Sequence, residues 1–354
     1  MTKRNYGIDF LRILSTFMVV MLHTLGKGGI LENAEVMSGK YYIAWFLEIA
    51  SYCAVNCFAL ISGYVMFESE TRFSKIAELW LQTAFYTVTS TVILFIILPE
   101  TRSIPALLDA VFPITRRHYW YITSYFGMYI FIPLLNLAIK HSPQKVLKRI
   151  LITTFILFCI LPSLLLTDPY SLDWGYSMLW LCLLYLVGGY IHKYNIPDKV
   201  KQYHGWLLFA GAVTLTFLSK FVLEYISISF PKLANYCDIL IDYDSPTIVL
   251  SGIGLLLACS KLSFPKCVNS VIAFTAPATL GIYLAHVNHA VWEYIIADFS
   301  RDFLNHTAIT FVVLIFSSVI FVFLLCFAIE YFRIFLFKLL RIKKLCKFVE
   351  KSLS

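Results

Sequence analysis

The sequence predicts an all-α, polytopic membrane protein with about ten transmembrane helices and both termini in the cytoplasm. Three observations carry that prediction. Of 354 residues, 59% are hydrophobic and only 14% charged, with a mean hydropathy of +0.76; a soluble domain needs far more polar surface. Apolar segments long enough to span a bilayer recur along the whole chain. Basic residues gather in alternate connecting segments, the signature of a fixed orientation.

The first segment, Ile8–Leu25, follows Lys3 and Arg4 as the core of a signal peptide would. It carries Arg12 and His23, however, and Leu22–Gly29 offers no small-x-small cleavage site, so it reads as an uncleaved first span. Tyr41–Phe67, Ile76–Leu98 and Tyr119–Ala138 come next. Tyr41, Tyr42 and Tyr119 to Tyr121 at their ends suit interfacial aromatic belts. Val146–Leu166, Trp174–Ile191, Gly205–Ile226 and the short Ser245–Cys259 follow, then Val271–Ala297 and Thr307–Phe337. Pro133, Pro162 and Pro277 with Gly281 interrupt spans, as kinks inside packed helices do. No internal repeat is visible.

With the N-terminus inside, the inner segments hold Lys3, Arg4, Arg72, Lys75, Lys140, Lys145, Lys148, Arg149, Lys193, Lys199, Lys201, Lys261 and Lys266. The outer segments hold only Lys27, Lys40, Arg102, Arg116, Arg117, Lys232 and Arg301. This bias places both ends in the cytoplasm. The net charge of +8 is thus a topology signal, and nucleic acid is not an expected partner. Residues 1–340 form the membrane domain; 341–354 form a basic amphipathic tail expected to lie on anionic lipid.

Nine cysteines form no framework: Cys53 and Cys57 stand three residues apart inside an apolar helix, and Cys159, Cys182, Cys259 and Cys326 also fall in spans. Buried free thiols are the expectation, and no metal is expected. The chain has no H-E-x-x-H, C-x2-C, P-loop or G-x-S-x-G pattern, which argues against zinc proteases, ATPases and α/β-hydrolase chemistry.

The candidate site begins in the first span. From Arg12 to His23 a helix rises roughly 16 Å and turns about 1100°, three turns plus about 20°. Both residues therefore share one face, near opposite leaflets, and Asp9 at i−3 pairs with Arg12. A snorkelling arginine and a buried, satisfied histidine are the bland alternative for each alone. Two on one face, with an acid, favour a site. Helix rise also gives depth: His23 and His286 each lie about 22 Å from the inner ends of their spans, so they share a level in the outer half. Glu48 lies about 10 Å below the outer surface, and His118 and Trp120 open the fourth span there. His289 and Glu293 follow His286 at i+3 and i+7, on one helix face. Arg12, Arg72 and Lys75 lie toward the inner leaflet, where Arg72 and Lys75 also suit plain positive-inside anchors. Lys220 with Glu224, and Glu330 with Arg333, read as intrahelical ion pairs, and Asp238, Asp242 and Asp244 as an acidic outer loop open to solvation.

These stretches together resemble the acyltransferase family 3 proteins, bacterial integral-membrane O-acyltransferases that modify cell-surface sugars. Gly7-Ile-Asp9-Phe-Leu-Arg12 through His23 is similar to the family's R-x10-H signature with its preceding Asp. Phe58-Ala-Leu-Ile-Ser62-Gly63-Tyr64 resembles its second-span ending, and Arg72-Phe-Ser-Lys75 occupies the place of its R-x-x-R motif. His118-Tyr-Trp120-Tyr-Ile, continuing to Tyr129-Ile-Phe-Ile-Pro133, is similar to its fourth span. Gly281-Ile-Tyr283-Leu-Ala-His286 resembles its penultimate-span motif. Lys75 departs from the second arginine: it keeps the charge and loses the bidentate fork.

The resemblance implies a donor, acetyl-CoA from the cytoplasm, and an acceptor hydroxyl on a polysaccharide or lipid-linked glycan at the outer side of the cell membrane, with polysaccharide-assembly proteins as candidate partners. Arg12, Arg72 and Lys75 would hold the CoA phosphates. His23, supported by Arg12 and Asp9, would act as general base on the acceptor or carry a transient acetyl group. Glu48, His118, Trp120, Tyr283 and His286 would bind the acceptor or orient the base. A secondary transporter of a small polar substrate is the alternative, since ten helices with intramembrane charges also suit a substrate pathway. A scaffold for polysaccharide assembly is a third reading, with polar residues serving only helix packing.

Overall fold

The computed structural model describes residues 4–353; Lys3 and the last tail residue, Ser354, lie outside them. Among the described residues all regular structure is helical. Eight segments of the described residues are long and apolar enough to cross a membrane: Tyr6–Asn33, Gly39–Met66, Phe73–Ile97, Trp120–His141, Gln144–Leu165, Gln202–Ser229, Lys266–His286 and Ala308–Leu339. Two shorter apolar helices, Met178–Lys193 and Pro246–Ser260, fall where the sixth and eighth spans were expected. The protein is therefore an all-α, multi-pass membrane protein. In chain order the longer helices are α1 (Tyr6–Leu25), α2 (Gly39–Ser51), α3 (Ala54–Met66), α4 (Phe73–Ile97), α5 (Trp120–His141), α6 (Gln144–Phe155) and α7 (Met178–Lys193). Later in the chain come α8 (Gln202–Ser229), α9 (Pro246–Ser260), α10 (Lys266–Thr275), α11 (Thr279–His286), α12 (Ala308–Leu339) and the tail helix α13 (Ile342–Leu353).

Regular helix is interrupted at several points, and three of them bear on the expected spans, two at prolines. Pro162 lacks an N–H and its ring crowds the carbonyl four residues back; the chain ahead of it widens into a π-helical turn, Ile156–Ile160, which absorbs the misfit. Pro277 lies in a 3-10 turn, Ala276–Ala278, between α10 and α11. The third departure corrects the expected Val271–Ala297 span. Its helix stops at His286, and a separate turn begins at His289 after Asn288, whose side chain accepts from Ala290 N at 3.1 Å. His289 and Glu293 therefore do not continue the helix face of His286. By contrast Pro133 is accommodated inside an unbroken α5.

The described chain divides into two compact units. The first comprises Met1–Val19, Trp45–Ser69 and Ile130–Ala276. Here α3 and α7 meet backbone to backbone: a Cβ at Gly63 would strike the Tyr185 carbonyl, and one at Gly188 the Leu60 carbonyl. Small residues at such crossings replace the hydrophobic drive that lipid removes. Asn56 ties the pair to a loop, donating to the Tyr243 carbonyl at 2.7 Å and accepting from Trp180 Nε1 at 3.1 Å. The expected Lys220–Glu224 pair forms at 2.8 Å. It is larger than expected, because Asp238 joins at 2.7 Å and the ammonium stands 3.7 Å from the centroid of the Trp45 ring. The acidic loop is thus not simply solvated. Asp244 is buried with Oδ2 unpartnered, and burial pushes its carboxyl up to about 7, with help from the Asp242 charge.

The second unit comprises Val20–Ala44, Glu70–Tyr129 and Pro277–Ser354. In it α11 packs on α12 through Gly281, whose missing Cβ leaves the space that the Glu330 carboxylate fills. Glu330 is fully buried, pairs with Arg333 as expected, and also accepts from Tyr86 OH at 2.6 Å and Gln82 Nε2 at 3.2 Å. The tail helix α13 packs on α4 with Cys346 buried, leaving Leu345 and Phe348 exposed. All nine cysteines are free thiols, and eight are buried.

Candidate active site

At the C-terminal end of α1, three turns beyond Arg12, His23 is half-buried. Its Nδ1 lies 2.9 Å from Nε2 of His286, the last residue of α11. The depth argument placed both rings at one level; the fold brings them into contact. His286 is 1% exposed, and its Nδ1 lies 2.6 Å from the Ile282 carbonyl, one helical turn back. A carbonyl only accepts, so Nδ1 of His286 carries a proton and, in the neutral ring, Nε2 has the lone pair. His23 Nδ1 must then be the donor to it, which leaves the lone pair of His23 on Nε2. That nitrogen has no hydrogen-bond partner among the described residues.

The surrounding wall was only partly anticipated. Trp292 meets His23 edge-on, with ring centroids 4.7 Å apart at 89°. Lys27 stands 5.9 Å from the Trp292 ring and binds Glu293 at 3.0 Å. Tyr283 lies with its ring centroid 6.1 Å from His286 and 6.2 Å from Tyr119. Tyr119, 1% exposed, donates to the Leu284 carbonyl at 2.9 Å and accepts from Asn288 at 3.0 Å. These bonds fix the turn that ends α11, and so the direction of His286. Trp292 and Asn288 escaped the sequence reading because they fall inside the expected Val271–Ala297 span, and Tyr119 because it reads as an interfacial aromatic.

His118 and Trp120 are the other expected acceptor residues of this unit. His118 faces His289 with ring centroids 6.2 Å apart; its imidazole is held down to about 4, chiefly by burial and then by His289. Trp120 opens α5 and packs edge-on against Tyr121. Arg72 precedes α4, exposed and without an ion pair among the described residues. Lys75 in the next turn is engaged with Glu78 at 2.9 Å.

The first unit holds the other candidates. Asp9 accepts from Arg12 at 3.2 Å and from Arg4 Nε at 2.5 Å, so the expected pair is a three-residue bridge. Asn5 Oδ1 accepts from Gly7 N at 3.0 Å and from Ile8 N at 3.2 Å, capping the start of α1 below it. Glu48 is buried on α2 with Oε2 unpartnered. The histidine pair and its aromatic wall are thus brought together within one unit. Asp9, Arg12 and Glu48 belong to the other.

An all-helical multi-pass membrane protein with two hydrogen-bonded histidines at the end of two spans is the class that fold and site define. The family model for an acyltransferase domain, acyltransferase family 3, matches residues 5–331. The chain belongs to that family and is a membrane acyltransferase. No curated protein and no solved structure matches it.

Proposed function

We propose that this acyltransferase is a cell-membrane O-acetyltransferase, moving an acetyl group from cytoplasmic acetyl-CoA to a hydroxyl of a cell-surface or lipid-linked polysaccharide, with His23 as general base. The observation that carries the reading is the Ile282–His286–His23 relay, which leaves one imidazole nitrogen with a free lone pair and no hydrogen-bond partner among the described residues. An acceptor hydroxyl passes its proton to His23 Nε2 as its oxygen attacks the thioester carbonyl carbon. The tetrahedral intermediate then expels the thiolate, breaking the C–S bond, and the thiolate takes the proton from Nε2. The ring ends neutral, ready for another turnover. While His23 is charged, the lone pair of His286 Nε2 accepts from its Nδ1–H and stabilises the imidazolium.

The remaining roles follow from charge and exposure. Arg72 is uncommitted and offers a bidentate fork to phosphate; Lys75 would exchange Glu78 for it. Asp9, itself held by Arg4 through its other oxygen, accepts from Arg12, which supports a fixed cation rather than a wandering one. Tyr283, Trp120 and His118 suit the faces and hydroxyls of a sugar. Glu48 is a candidate acceptor contact on the strength of its unpartnered oxygen.

The test is transfer of label from acetyl-labelled CoA into envelope carbohydrate by membrane vesicles containing the protein. Wild type labels the carbohydrate, and His23→Ala at equal membrane abundance loses roughly 10²–10⁴-fold of the rate, the usual share of a general base. Full activity in His23→Ala would sink the assignment of the base. Absence of transfer by wild type across capsular, peptidoglycan and lipid-linked acceptors would overturn the proposed donor and acceptor.

A further inference from the structure

Where α12 gives way to α13, within the second unit, lies a cavity of about 600 Å³, well inside the roughly 300–1,000 Å³ range of small-molecule sites. Five cations line it: Arg333, Lys338, Arg341, Lys343 and Lys344. The only acid there is Glu78, and Lys75 already engages it. Arg333 is committed to Glu330 and stacks over Phe337 at 4.6 Å. That leaves Lys338, Arg341, Lys343 and Lys344 with no ion-pair partner among the described residues.

The backbone is bent to make this arrangement. Arg341 adopts φ +54°, a left-handed conformation unfavourable for a side-chain-bearing residue. It ends α12 and turns the chain so that Lys343 and Lys344 line the same cavity as Lys338. Gathering like charges around a concavity is unfavourable until an anion enters. One arginine and three lysines supply a planar fork and several point charges, which suits the oxygens of a phosphate ester. All five cations lie beyond residue 331, outside the matched acyltransferase domain.

We propose that this cavity binds the phosphate ester of a larger ligand, through Lys338, Arg341, Lys343 and Lys344. Two sources offer that chemistry: the nucleotide end of a CoA thioester, and the headgroup of an anionic phospholipid. The first source rests on the proposed CoA donor; the second does not.

The test reads binding, not activity. Full-length protein in phosphatidylcholine nanodiscs is titrated with adenosine 3′,5′-bisphosphate by calorimetry. In a second arm, native mass spectrometry counts phosphatidic acid retained from nanodiscs that contain it. Arg341→Gln/Lys344→Gln and, separately, Lys338→Gln/Lys343→Gln are compared with wild type, at matched thermal midpoints. Wild type is expected to bind in at least one arm, more weakly as salt rises, and each double variant to weaken that binding at least tenfold. Nucleotide binding alone assigns the CoA end; lipid retention alone assigns the headgroup. Binding in neither arm overturns the proposal. So does binding that survives both double variants and is lost in Arg72→Gln/Lys75→Gln.

Discussion

At His23 the imidazole is held through one nitrogen, and the tautomer follows from a carbonyl two residues removed along the relay. His286 is accordingly a positioning residue. His286→Phe should lower kcat while leaving KM for the donor nearly unchanged, and should alter the pH–rate profile, because Nδ1 of His23 loses its acceptor. A stopped assay across pH 5–9 would check it; an unchanged profile would reduce His286 to packing. Tyr119→Phe removes the donor to the Leu284 carbonyl and the acceptor for Asn288. Leaving such buried groups unpaired costs about 1–3 kcal/mol, which a fall in thermal midpoint in detergent would report. The two histidines were legible in the sequence because both are ionisable groups inside apolar segments, and helix rise alone gave their depth. Tyr119 was not, since its role depends on where α11 stops.

The helices show what local chemistry announces and what it hides. Pro162 and Pro277 mark departures from regular helix that the structure bears out, whereas Pro133 leaves α5 intact. The stop after His286 has no proline or glycine at Val287 or Asn288 to signal it. It is made by tertiary bonds, Asn288 reaching Tyr119 and capping the next turn. Likewise the α3–α7 crossing rests on glycines spaced as in any apolar span. Gly188→Ala should push the helices apart, costing about 1–3 kcal/mol as overpacking does, with Gly63→Ala equivalent. A scan of thermal midpoints in which Ala is harmless at both positions would contradict so close a crossing.

On the scale of the whole molecule, composition and charge placement sufficed to read an all-α, multi-pass protein, because a bilayer permits few alternatives. Which polar residues share a unit was not readable, since contact between spans depends on packing and not on depth. The acidic loop illustrates this: Asp238 is drawn to Lys220 while Asp244 is buried. Asp244 carries a testable sign. Its folded carboxyl titrates near 7 against about 3.9 when unfolded, so between those values the folded state binds more protons. Stability must fall as pH rises through that window. Asp244→Asn should flatten the decline in thermal midpoint between pH 4 and 7, and an unaltered decline would remove Asp244 as its source.

The Glu330 cluster also bears on how the chain is made. Glu330 and Arg333 lie on α12, while Tyr86, Gln82 and Gly281 belong to helices synthesised before it. Arg333 travels with Glu330 as a counter-ion one turn away, so the span can leave the insertion machinery as a neutral pair and dock on a socket already waiting. Docking of α12 would then turn on one carboxylate, and a ribosome stalled before residue 330 would leave that socket open.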